Sequence, residues 1–369
     1  MGLPVFEGRN LRAAISVSSA LLLCTALHAE PAHDDAGIGF AGLLPVRDMT
    51  TFGFRRLDMR PAPVTTDASR PAIEFAFGYQ NTWSTSSDVR DYLQTRPRSA
   101  FTGDDVERLR ATPGEHYLVD MELAMLDVTV RYPLSPRLDA YAMVSAAQFT
   151  GGRLDGMIES FHRRFGFDDF GRPGAARNRF NLYLDLKGVK VQELNRDDLG
   201  GLLDPVVGLR YTWPIPSQRM RVVAEAAAKL PLESNGLMST GRADVGTQVT
   251  AQWFRHAHAF YVSAAVVRFA GSPAPYRNAS TTVPTGIFGY EYRWDEKTNV
   301  VAQLSTSRST FTSRETDLEE LRGMKYQVSL GLRHCLQAAC LTAAVTENVM
   351  RFNNTPDVGF LFGAGFDLQ

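Results

Sequence analysis

From about residue 71 to the end, apolar and polar residues alternate at period two in blocks of roughly ten, and the connections between blocks alternate short and long. Ile73, Phe75, Phe77, Tyr79 and Trp83 fall on one phase, and Glu74, Ala76, Gly78, Gln80 and Thr82 on the other. Residues i and i+2 share one face of a strand, so each block has an apolar side and a wet or crowded side. The same phase recurs in Val207, Leu209, Tyr211 and Trp213, in Val245, Val249, Ala251 and Trp253, and in Phe288, Tyr290, Tyr292 and Trp294. A chain in hydrocarbon must pair every backbone N–H and C=O internally, so strands that cross a bilayer have to close on themselves without a free edge. The pattern predicts a single closed antiparallel transmembrane β-barrel over residues 71–369.

Following the phase along the chain gives twelve segments, near 71–83, 119–132, 138–149, 205–213, 220–230, 244–254, 259–269, 286–294, 299–310, 324–334, 341–350 and 358–368. An even count suits an antiparallel barrel. Short connections fall at Pro133 to Pro136, Pro214 to Ser217, Arg255 to His258, Asp295 to Thr298 and Leu336 to Ala339, whereas 84–118 and 150–204 are long. Short periplasmic turns and long outer loops are the usual asymmetry of bacterial outer-membrane barrels, which puts both termini in the periplasm. The tryptophans agree: Trp213, Trp253 and Trp294 sit at the periplasmic ends of strands and Trp83 at an outer end, where amphipathic rings favour the membrane interface. A secreted β-sandwich would also alternate, yet it gives no reason for tryptophans at strand ends or for the rhythm of the connections.

The first thirty residues address the chain. Arg9 and Arg12 precede an apolar run from Ala13 to Leu27 that is too short to span, and the small Ala29 follows, so residues 1–29 read as a secretory signal peptide. Lipidation at Cys24 is the weaker reading, because bulky Leu23 directly precedes it. Residues 30–70, with prolines at 61, 63 and 71, read as a periplasmic lead-in or a partial plug of the lumen. No later segment is long and apolar enough for a membrane helix, and a net charge of -1 gives no footprint for nucleic acid. Cys335 and Cys340 flank a tight turn and are a disulfide candidate in an oxidising compartment; two cysteines alone make a poor zinc site.

The polar phase supplies the candidate lumen residues Glu74, Arg210, Arg221, Glu225, Lys229, Glu291, Arg293, Lys325 and Arg333. Such charges either line a narrow channel or pair across it and block it. In the long loop after the third segment, Leu154, Ile158, Phe161 and Phe165 have helical spacing, and Asp155, Glu159 and His162 share another face. That polar cluster is either a metal or acid–base site or, more simply, the side by which a helix at the barrel mouth bonds to the wall. Alternation around Lys187-Gly188, within Asn181 to Leu194, predicts an extra outer hairpin.

The runs GGRLDGMIESFHRRFGFDDFGR from Gly151, KLPLESNGLMSTGRAD from Lys229, TPDVGFLFGAGFDLQ from Thr355 and GLLPVRDMTTFGF from Gly42 together resemble an uncharacterised group of Gram-negative outer-membrane proteins, domain of unknown function 3187. The resemblance runs from about residue 37 to the end and implies an outer-membrane barrel without an established activity. It rests on Asp155, Glu159, Phe161, His162 and Gly166, with Lys229, Pro231 and Gly241 further on. The chain departs from it at KLPLESN, where relatives tend to read like KLPTGD, and at the end, where Gln369 stands in place of the usual aromatic residue.

Three functions compete at this stage. One is a narrow channel or transporter for small solutes. Another is a lipid-modifying hydrolase, which needs a serine, a histidine and an orienting group near the outer leaflet. A third is a non-conducting structural or surface-interaction barrel. Outer-membrane lipids, the barrel-assembly machinery and small solutes are the expected partners, and no cofactor or metal is expected.

Overall fold

The computed structural model describes residues 39–368, apart from 52, 65–69, 197–198, 216, 218, 234–235, 273–278, 337–338 and 350–352. The expected signal peptide and Cys24 lie outside the described residues.

The strands in chain order are β1 (Ala72–Thr85), β2 (His116–Ser135), β3 (Leu138–Thr150), β4 (Asn181–Asp185), β5 (Lys190–Leu194), β6 (Leu199–Leu202), β7 (Val206–Trp213), β8 (Met220–Lys229), β9 (Asp244–Arg255), β10 (His258–Phe269), β11 (Thr281–Arg293), β12 (Thr298–Arg308), β13 (Met324–Cys335), β14 (Ala339–Asn348) and β15 (Val358–Asp367). Twelve of them form the wall, each antiparallel to its neighbours, in the order β1, β2, β3 and then β7 through β15. Pairing of β15 back onto β1, from Ala72↔Asp367 to Asn81↔Val358, closes the ring and removes the edge. The remaining three strands decorate one end: the β4–β5 hairpin continues from β2, and β6 pairs with the last residues of β3. We call that end the loop end and the other, with the short hairpins, the turn end.

Burial follows the period-two phase. In β9, Val245, Val249 and Trp253 are exposed on the outer face, and Asp244, Gln248, Thr250 and Gln252 are buried within. The strands depart from the sequence expectation in two places. β2 spans 20 residues and is buried on both faces from His116 to Leu123, because its loop-end half is packed inside by the core around Phe180 and outside by helices. β11 begins at Thr281 rather than near 286, taking Pro284 into the ladder opposite Val266. The pairing of β11 with β12 starts only at Thr285, so the missing proline N–H faces an unpaired edge there.

The loop end carries α1 (Ser87–Gln94), α2 (Gly103–Arg110), α3 (Asp155–Phe165) and the single turn α4 (Glu319–Arg322). α1 and α2 are absent from the sequence expectation. Each is only 8 residues long, and its two buried apolar residues, Val89 and Leu93 or Val106 and Leu109, are too few to define a helical period. They pack with Phe101, Leu118 and Tyr183 into a small core outside the wall.

Candidate functional site

The candidate site is the lumen, and residues 39–64, apart from Phe52, which lies outside the described residues, fill it. These residues lack helix and strand, so their backbone groups must find partners in the wall. At the turn end, Glu291 accepts the amides of Ala41 at 3.2 Å and Gly42 at 3.0 Å, and Arg333 donates to the carbonyl oxygens of Gly42 at 2.6 Å and Leu43 at 3.2 Å. Halfway up, Gln303 accepts the amide of Leu44 at 2.9 Å. The chain turns near the loop end, where the amides of Gly53 and Phe54 both donate to Thr50 O. There Phe54 packs edge-on against Phe149 at 5.0 Å, and Asp48 pairs with Lys325.

The second leg runs back down. Arg56 pairs with Asp244 at 3.2 Å, Gln248 donates to the carbonyl oxygen of Arg60 at 2.8 Å, and Gln252 donates to that of Ala62 at 3.3 Å. The two legs meet where the amide of Val64 donates to Ala41 O at 3.2 Å. Gly42 stands at that crossing with φ +95°, and a Cβ there would lie 2.9 Å from Val64 N, so only glycine fits. Residues 39–64 are therefore a U-shaped insert with both ends at the turn end.

Charge and shape hold the insert. Arg47 pairs with Asp127 at 2.8 Å and donates to Ser145 at 2.8 Å and to Phe54 O at 3.1 Å, with both charged partners buried. Arg60 bonds Thr129 at 2.7 Å and lies 3.7 Å from the second oxygen of Asp127. Large apolar side chains of the insert occupy places where the wall has glycine. A Cβ on Gly289 would fall 2.0 Å from Leu43, and one on Gly78 would fall 2.8 Å from Met49. Cavities left between insert and wall are small, about 60, 30 and 20 Å³, room for only a few waters. Within the insert, two partly buried carboxyls diverge. Burial raises Asp48, but the Lys325 ammonium and Thr50 outweigh it and hold that carboxyl below its ordinary value. Burial, joined by the Asp48 charge, holds Asp58 above its ordinary value.

The nine charged residues of the polar phase all turn inward, and they divide by partner. Glu291, Arg333 and Lys325 hold the insert, as above. Glu74 approaches Arg60 to 4.0 Å, and Arg293 lies 5.5 Å from the Phe40 ring at the turn-end mouth. Arg210 and Glu225 pair with each other at 2.8 Å beneath Tyr141, whose hydroxyl donates to Glu225 at 2.5 Å. Lys229 pairs with Asp204 at 2.7 Å and braces the loop after β8 by donating to Thr240 and to Arg242 O. Arg221 lies 5.7 Å from the Phe254 ring. Arg47, Arg56 and Arg60 stand in the lead-in and have no place in the alternating pattern; their partners are 69 to 188 residues away. In the sequence, residues 30–70 read as a lead-in or partial plug of the lumen, with no role given to these arginines.

Asp155, Glu159 and His162 do not converge on a common point. Asp155 pairs with Arg172 at 2.8 Å, Glu159 with Arg98 at 2.9 Å and Arg177 at 2.5 Å, and His162 with Asp169 at 3.3 Å. Burial raises Glu159, but Arg177 and Arg98 outweigh it and hold the carboxyl below its ordinary value. No cluster of three metal-ligating side chains occurs among the described residues. Ser160 gives its hydroxyl to Gly156 O at 2.7 Å, away from His162. Cys335 and Cys340 form a disulfide across the β13–β14 turn.

Trp83 requires a correction. Trp213, Trp253 and Trp294 are exposed on the outer face at the turn end, but Trp83 is buried. The segment after α3 covers it: the indole N–H donates to Phe170 O at 3.0 Å, and the Arg172 guanidinium lies 4.9 Å from its ring.

A closed twelve-stranded wall with an apolar outer face and a polar, insert-filled interior is an outer-membrane β-barrel fold. The chain belongs to the family described as protein of unknown function DUF3187, whose pattern matches residues 79–368. No curated protein matches it. Among solved structures it is similar to an outer-membrane channel from Pseudomonas putida F1, at 10% identity over 83% of this chain and 99% of that one, with a TM-score of 0.52. It is also similar to the NanC porin, at 8% identity over 80% and 100% of the two chains, TM-score 0.43. A FadL homologue from Pseudomonas aeruginosa follows at 11% identity over 89% and 100%, TM-score 0.36. At such identities the likeness is one of fold.

Proposed function

We propose that this protein is a narrow conduit for small polar solutes in the bacterial outer membrane, closed by residues 39–64 and opened when that insert withdraws toward the periplasm. The observation that carries the reading is the match between an unstructured insert and a polar wall. Glu291, Gln303, Gln248 and Gln252 meet backbone groups of the insert, and water can take over those bonds when the insert leaves. In this reading the turn end and both termini are periplasmic. The insert is tethered to β1 through residues 65–71 and leaves by the same mouth. The barrel-assembly machinery and outer-membrane lipids are its partners during insertion.

A second reading, a permanently closed structural barrel, is favoured by the number of buried ion pairs between insert and wall. Planar-bilayer recording of the full chain beside a variant lacking residues 39–64 separates the two. The conduit reading expects brief, rare openings of the full chain and a steady conductance of the deletion variant. A closed bilayer from both, with a correctly folded barrel, overturns it.

A further inference from the structure

The sequence pattern of α3 gives it an apolar stripe, and the fold splits it: Ile158 is buried on the wall side, while the C-terminal half turns outward. Asp155 and Glu159 are buried, held by Arg172, Arg98 and Arg177, whereas Phe161 and Phe165 are 52% and 60% exposed. Gly166 closes the helix in the left-handed conformation and swings the chain back, the amide of Phe167 donating to His162 O at 3.0 Å. Phe167, 57% exposed, then stacks on Phe161 at 5.8 Å, and Phe165 lies 4.7 Å from Phe161 and 6.5 Å from Phe167, so the three rings form one cluster. Three half-exposed rings leave on the order of 300 Å² of contiguous apolar surface, in the range where exposed patches mark interaction sites.

The attachment of α3 sets its height. Glu122, on the outward phase of β2, accepts the amides of Arg153 and Leu154 and fixes the start of the helix to the outside of the wall. Glu122 pairs in register with Asn81, eight residues above Ile73 along β1. At about 3.3 Å per residue and a tilt near 40°, that is a rise of about 20 Å, the upper margin of an apolar band about 25 Å tall. Phe77 is exposed on the same face below, and the Tyr79 hydroxyl donates to Glu122. The start of α3 is thus fixed level with the upper part of the lipid-facing wall.

We infer that α3 is an interfacial helix that lays Phe161, Phe165 and Phe167 into the lipid leaflet at the loop end of the barrel, with exposed Arg163 and Arg164 at the level of the headgroup phosphates. The inference rests on the membrane reading above. Ion pairs of Asp155 and Glu159 on its wall side, with the buried Ile158, hold the helix in place and leave the aromatic cluster free for lipid.

Nitroxide labels on the full chain carrying Cys24→Ser, in phospholipid vesicles, test it, since the other two cysteines, Cys335 and Cys340, are tied in a disulfide. A label at Phe165→Cys should show an oxygen-over-nickel-chelate accessibility like that of a label at Val249→Cys on the outer face of β9. It should be several-fold above that of a label at Glu107→Cys on the exposed side of α2. Met157→Cys provides the same reading if Phe165→Cys fails to fold. A Phe165 label as open to the nickel chelate as the Glu107 label overturns the inference. So does dipolar broadening that persists at high lipid-to-protein ratio, which would make the patch a contact between copies. In either case a lipid-exposed Val249 label leaves the membrane reading standing.

Discussion

Arg47→Ala is the sharpest test of the gate, because Arg47 ties the insert to the wall and to itself. Its guanidinium pairs with Asp127 and bonds Ser145 and Phe54 O, and both charged side chains are nearly inaccessible, at 4% and 5%. Removing one partner of a buried pair costs about 3–5 kcal/mol, because the other charge stays buried without compensation. Arg60 remains 3.7 Å from Asp127, so the lower end applies. Undocking the insert wets Asp127 and relieves it, so the cost falls on the docked state alone. About 3 kcal/mol corresponds to a shift of roughly 150-fold in the docking equilibrium. The assay is modification of a cysteine at Leu44, fully buried when docked, by a maleimide that does not cross membranes. The rate should rise by about two orders of magnitude in the Arg47→Ala background. Arg210→Ala breaks an equally buried pair that lies wholly within the wall and should leave the rate near that of the parent. Equal rates in the Arg47→Ala variant and the parent, or equal acceleration by both substitutions, refute the gate.

Three further outcomes follow from the same contacts. Gly289→Phe places a ring where Leu43 sits, since even a Cβ would lie 2.0 Å from that side chain; the barrel should fold with its usual resistance to detergent, while the Leu44 cysteine becomes reactive. For pH dependence, Asp58 is held above its ordinary value, so its contribution to docking is full below about pH 3.9 and is lost as pH rises through its docked pKa. Asp48 is held below its ordinary value, so its contribution is present above about pH 3.9 and is lost as pH falls through its docked pKa. Asp58→Asn should therefore slow labelling of the Leu44 cysteine at neutral pH and leave the loss of docking in strong acid, and acceleration at neutral pH would count against it. Cys335→Ser with Cys340→Ser opens a loop of sequence separation 5, a constraint worth about 2 kcal/mol in the chain-entropy account. Heat and denaturant should show a small loss of stability with conductance unchanged.

The wall was legible in the sequence because each of its strands has lipid on one side and the lumen on the other, which imposes period two on the residues themselves. Where that two-sided environment ends, so does the signal. At His116 to Leu123 both faces of β2 are covered, and alternation no longer reports which side a residue faces. α3 shows the complementary limit. Its spacing predicted a helix correctly over Asp155 to Phe165, but which face is buried depends on Arg98, Arg172 and Arg177, between 17 and 61 residues away and brought in by other segments. Aromatic residues would normally take the buried side. Here three arginines take up the carboxylates first, and the rings are left outside.

The insert makes the same point about the interior. Its own sequence has no alternating period, and its position follows from what the wall offers. A lumen meant only to be filled could be packed with apolar side chains, at little cost and with more stability than buried charges provide. This wall instead presents Gln248, Gln252, Gln303 and Asn299, and they bond to the backbone of the insert rather than to its side chains. Exchange of such bonds for bonds to water changes the free energy little. The resistance to withdrawal then lies in the charged contacts of Arg47, Arg56, Arg60 and Asp48, and in the apolar side chains of the insert, Phe40, Leu43, Leu44, Met49, Phe54, Leu57 and Met59, packed against the wall. In such a closure the ion pairs are the contacts most sensitive to a single change, because removing one partner leaves the other charge buried without compensation. The apolar contacts have the opposite character, since their cohesion is spread over many small groups and no individual one releases the insert.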